Sequence, residues 1–91
     1  MLYMVIEHFK DGPAIYARFR ERGRMAPDGL TYVASWVEPN LDRCFQVMEC
    51  DDPELLHEWA ANWQDLCDFE FLPVVTSKEM AERMARAASA L

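Results

Sequence analysis

Apolar positions along the chain alternate between nearly continuous runs and runs in which they recur at three- and four-residue spacing. Leu2 to Phe9 is apolar almost throughout, broken by Glu7 and His8, and predicts a first strand. Asp11-Gly12-Pro13 changes the period. Asp11 or Gly12 suits a helix cap, and Pro13 suits the first turn, where its missing N–H goes unused. Ile15, Tyr16 and Phe19 then share one face of a helix running to about Arg24, and Pro27-Asp28-Gly29 marks a turn. Leu30 to Val37 is rich in β-branched and aromatic residues. Glu38-Pro39-Asn40 turns the chain into Arg43 to Cys50, so these two runs predict a hairpin. Asp51-Asp52-Pro53-Glu54 opens a second helix with an acidic first turn. Leu55, Leu56, Trp59, Ala60, Trp63 and Leu66 give that helix its apolar face. Phe69 to Val75 predicts a fourth strand, whose Pro73 suits an edge. Thr76-Ser77-Lys78-Glu79 opens a terminal helix, with Met80, Met84, Ala88 and Leu91 on one face.

The predicted order is β-α-β-β-α-β, that of a ferredoxin-like α+β domain: a four-stranded antiparallel sheet with two helices on one face. The domain spans residues 1–76 and a helical extension spans 77–91. A sheet with one wet face alternates apolar and polar residues, and these strands do not. One parity collects Met4, Ile6, Tyr32, Ala34, Trp36, Phe45, Val47, Phe69 and Phe71, a bulky set expected beneath the helices. The other collects Tyr3, Val5, Val33, Val37, Met48, Leu72 and Val74 with Glu7, Ser35, Cys44, Gln46 and Glu70. That second set is too apolar for water and too polar for a dry interface. It predicts a cavity shared between the sheets of two copies of the chain.

Composition narrows the function. With 91 residues there is room for one domain. At that size only about 60% of the unfolded surface is buried, so a second chain over one face would add stability. Nine basic against 16 acidic residues give a net charge of −7, which disfavours nucleic acid. Arg18, Arg20, Arg22 and Arg24 form a local basic run, read as a solvated helix face or an anion site. Cys44, Cys50 and Cys67 make an odd set without C-x-x-C, as expected of a reduced cytoplasmic protein without a metal centre. No leader and no membrane span is predicted.

The segments MLYMVIEHF, RFRERGRM, PDGL-x-YV-x-SWV, LDRCFQVME, DDPELL-x-EW and FEFLPVVTS carry a resemblance. The chain resembles a family of short bacterial proteins described as a domain of unknown function within the dimeric α/β-barrel superfamily. The resemblance implies ferredoxin-like chains that dimerise through their sheets. Superfamily members include cofactor-independent monooxygenases, small isomerases, haem-degrading enzymes and ligand-sensing domains. It implies no catalytic motif, and a shared fold does not fix function.

Candidate chemistry rests on few groups. Glu7 reads as a general base or acid if buried, or as an ion-paired or exposed residue. His8, on the opposite parity, is a weaker proton carrier. Cys44 reads as a small buried hydrophobe or, without an adjacent base, a poor nucleophile. Gln46 must satisfy both ends of its amide, through protein, water or ligand. His57 is expected to face solvent, and two histidines do not make a metal or haem site. Trp59 and Trp63 read as core or as stacking platforms. The expected ligand-binding set is Glu7, Ser35, Trp36, Cys44, Gln46 and Met48, with no cofactor. Two functions follow: a homodimer binding a small, partly apolar molecule, or a cofactor-independent monooxygenase or isomerase acting on a small aromatic or polyketide-like substrate.

Overall fold

A computed structural model describes residues 1–89. The elements are β1 (Leu2–Phe9), α1 (Gly12–Arg22), β2 (Thr31–Val37), β3 (Arg43–Glu49), α2 (Glu54–Ala60), β4 (Cys67–Val74) and α3 (Ser77–Ser89). Leu91, expected on the apolar face of α3, lies outside the described residues.

Local chemistry sets the boundaries. Asp11 caps α1, its carboxylate accepting from the Ala14 N–H at 3.0 Å, with Pro13 in the first turn. The helix stops at Arg22, short of Arg24, because Gly23 takes φ 69° while its N–H bonds to the Phe19 carbonyl at 2.8 Å. Asp52 accepts from the Glu54 N–H at 3.0 Å to start α2. α2 ends at Ala60, earlier than its apolar periodicity implies. Beyond it, i to i−3 bonds tighten the chain, Trp63 N–H to Ala60 at 2.9 Å and Leu66 N–H to Trp63 at 2.8 Å. Those turns keep Trp63 on the apolar side although it lies outside the helix.

The strands form one antiparallel sheet in the order β2-β3-β1-β4. β4 is an edge, as Pro73 requires. β2, the other edge, carries an irregularity between Tyr32 and Ala34 that leaves Val33 unpaired and 52% exposed. Val5 pairs with Gln46 on one side and Phe71 on the other, so all three side chains share a face. The core on that face gathers Val5 and Met48 from the sheet, Ile15 from α1, Leu56 and Trp59 from α2, and Trp63. Fully burying a Val, Leu or Met side chain stabilises by about 1.5–3 kcal/mol.

The helices therefore cover the parity expected to face away from them. Tyr3, Val5, Glu7, Cys44, Gln46 and Met48 lie beneath the helices together with Phe69 and Phe71, while Met4, Ile6, Ala34, Trp36, Phe45 and Val47 line the other face. Short strand residues, Val5, Cys44 and Cys67, leave room for the two indoles from the helix side, and Tyr3, Met48, Phe69 and Phe71 pack around them.

α3 leaves this body. None of its described residues is buried, and Met80 and Met84 are exposed. Thirteen residues make about 20 Å of helix, consistent with principal extents of 53, 30 and 18 Å.

Candidate functional site

The segment after α1 enters the core backbone first. Gly23 and Met25 both have positive φ, 69° and 60°, so the chain reverses tightly around Arg24. The indole N–H groups of Trp59 and Trp63 both donate to the Arg24 carbonyl at 3.0 Å, occupying both of its lone-pair directions. Asn62 donates to the Met25 carbonyl at 3.3 Å. With its backbone held on α2 and the following turn, Arg24 sends its side chain back over the sheet. There its Nε donates to Gln46 Oε1 at 3.2 Å, and its guanidinium lies 3.7 Å from the Tyr32 ring centroid.

Between this arginine, α1, α2 and the sheet lies a cavity of about 220 Å³. Phe19, Trp59 and Trp63 contribute apolar wall; Glu7, Cys44 and Gln46 contribute polar floor. The cavity is formed by one chain, between its sheet and its helices. Glu7 and Cys44 are cross-strand partners, which sets the thiol beside the carboxylate. Burial raises the Glu7 pKa to about 7, against the opposing pull of that thiol and of Arg24. Burial and the Glu7 charge push the Cys44 thiol up to about 12, so it is no thiolate at neutral pH. Cys67 is likewise raised to about 12, by burial first and then Glu7. Gln46 is 3% exposed, and its Nε2 has no hydrogen-bond partner.

Of the residues singled out by sequence, Glu7, Ser35, Cys44 and Gln46 come together here. Met48 is fully buried in the core and does not line the cavity. Trp36 is on the opposite sheet face, 61% exposed. His8 is also on that face, 3.6 Å from Glu70 and away from Glu7. His57 is exposed, its ring edge-on to Phe71 with centroids 5.3 Å apart. Trp59 and Trp63 serve as both core and cavity wall.

Arg24 also lines the cavity, although it is absent from the ligand-binding set expected from sequence. Its basic run reads as a solvated helix face or an anion site, and Gly23, which ends the helix before it, separates Arg24 from that face. The other members divide. Arg18 forms two 2.8 Å bonds to Asp65 and one of 2.9 Å to the Asn62 carbonyl, tying α1 to the turn before β4. The Arg18 hydrogen bonds hold Asp65 down at about 2. Among the described residues no cluster of His, Cys, Asp and Glu could hold a metal, and no helix is long and apolar enough to cross a membrane.

No curated protein and no solved structure matches the chain. Residues 1–88 match the family described as Domain of unknown function (DUF3303), and with nearly its whole length matched the chain belongs to that family.

Proposed function

We propose that this domain binds a small, partly apolar molecule in the cavity between its sheet and helices, and that it does so as a homodimer joined through the opposite sheet face. Gln46 carries the binding reading. A buried amide donor without a partner costs about 1–3 kcal/mol, and a chain this small has little stability to spare. A ligand acceptor at Nε2 removes that penalty. The dimer reading is supported by the open face, where Met4, Ile6, Trp36, Phe45, Val47 and Leu72 form an apolar surface. The Arg43–Glu38 ion pair and the polar pair His8 and Glu70 border it, and such a pattern of apolar centre and polar rim suits a second copy of the same face. Native mass spectrometry of the protein as purified tests both. A dimer with added small-molecule mass is the expected spectrum; a bare monomer that takes up no small molecule on titration overturns both readings.

Glu7 favours a second reading, a cofactor-independent enzyme that moves a proton on a small aromatic or polyketide-like substrate. A carboxyl titrating near 7 in an apolar cavity is matched to acid–base work at neutral pH. Turnover lost in Glu7→Gln with binding retained would distinguish catalysis from binding alone.

A further inference from the structure

The polar end of the cavity specifies a ligand chemistry, an inference that rests on the binding reading above. An arginine side chain only donates, so its 3.2 Å bond to Gln46 fixes which end of that amide it meets. The oxygen faces Arg24, and the buried Nε2 is left as a free donor. The Arg24 guanidinium stacks on Tyr32 at 3.7 Å with Phe19 at 5.2 Å, which occupies its flat faces and leaves in-plane N–H groups to bond. Among the described residues, no ion pair involves Arg24. One cation and one neighbouring amide donor, set against aromatic walls, match a carboxylate on a ring. An apolar cavity of about 150 Å³ holds a benzene, so about 220 Å³ admits a single ring with one small anionic group.

We propose that the cavity takes a small monocarboxylate with one ring, its carboxylate against Arg24 and the Gln46 amide and its ring against Phe19, Trp59 and Trp63. Glu7 gives this binding a pH dependence. The titratable and charged groups around it are Cys44 on β3, Cys67 on β4, Tyr16 on α1 and Arg24. Both thiols and the Tyr16 phenol have raised pKa values, so near neutrality Arg24 and Glu7 hold the charges. An incoming carboxylate repels ionised Glu7 and is bound together with a proton.

The test titrates the full chain with benzoate, phenylacetate and 4-hydroxybenzoate, each against its primary amide, by calorimetry and by tryptophan fluorescence, with Trp36→Phe removing the emission from the far face. At pH 6.5 at least one acid should bind about tenfold or more tighter than its amide, since a charge-assisted hydrogen bond is replaced by a neutral one. Arg24→Met should abolish that preference. Arg24→Lys, which keeps the charge without the fork, should weaken it and serves if the first variant does not fold. Affinity for the acid should fall as pH rises from 7 to 9, and the fall should vanish in Glu7→Gln. Amides binding as well as acids, or an acid preference that survives removal of Arg24, overturns the carboxylate assignment and leaves the cavity reading standing. No binding by any of the six probes overturns the carboxylate assignment, and a retained uncharged molecule in the native mass spectrum would still support the cavity.

Discussion

The two faces of the sheet use similar amounts of apolar sequence to opposite ends. Beneath the helices the strands mix short residues, Val5, Cys44, Ser35 and Cys67, with large ones, Tyr3, Met48, Phe69 and Phe71, and two indoles arrive from outside the sheet. On the open face the strands also carry bulk, Met4, Phe45, Trp36 and Leu72, and none of the described residues is laid over Trp36 or Leu72. Side-chain size on a strand therefore does not identify the covered face. What decides is the sum of volumes contributed by both layers. The same sum explains the cavity: two indoles anchored on one carbonyl bridge over short side chains and leave space at the side where Arg24 turns in.

Paired substitutions test this contrast, beginning with the largest effect. Trp59 is 2% exposed, and Trp59→Ala should lower unfolding free energy by about 3–5 kcal/mol, read by denaturant titration. A loss below about 1 kcal/mol would mean the helices do not seal this face. Glu7→Gln acts next and in the opposite direction. Its carboxyl is raised from 4.5 to about 7 in the folded chain, so its contribution is fully present below about pH 4.5 and declines as pH rises through 7. The decline is on the order of 3 kcal/mol at most. Glu7→Gln should therefore be the more stable protein at pH 8 and indistinguishable at pH 4; equal stability at both would mean Glu7 is hydrated. Gln46→Met removes the unpartnered amide N–H but also the acceptor of Arg24 Nε, so the two effects offset and the ligand-free chain should change by less than about 1 kcal/mol, while binding of any ligand it serves weakens. Thermal shifts with and without ligand measure both. Trp36→Ser should change monomer stability by less than about 0.5 kcal/mol, because this side chain is 61% exposed within one chain. It should nevertheless shift the species seen in sedimentation from dimer to monomer, and an unchanged dimer would remove Trp36 from the interface.

The element order was legible because its signals are local. Caps at Asp11 and Asp52, the turn at Pro27-Asp28-Gly29 and the proline in β4 each act within a few residues. The hairpin of β2 and β3 was legible too, whereas its register, Val37 with Cys44 and Ser35 with Gln46, is set by the turn between them. The face assignment failed because it depends on what α2 and its following turn place above the sheet. Phe69 and Phe71 were grouped with Met4 and Ile6, whereas the antiparallel register sets them beside Glu7 and Val5. Of the polar set Glu7, Ser35, Cys44, Gln46 and Glu70, the first four come together because shared parity survives an error about which side it faces, whereas Glu70 pairs with Ile6 on the open face. Arg24 was legible only as one member of a basic run, because its place in the cavity depends on backbone dihedrals at Gly23 and Met25 and on two indole donors from a distant segment.

The edges of the sheet bear on how such molecules can grow. Polymerisation by strand addition needs a straight edge with regularly spaced donors. β4 offers one edge interrupted at Pro73, and β2 offers the other with its spacing broken at Val33. Both routes to an open-ended fibril are thus obstructed, and the attachment surface that remains is the flat of the sheet. In the proposed dimer, face-to-face association would consume that surface in a single step, and assembly would stop at a finite particle without growing into strand-added filaments.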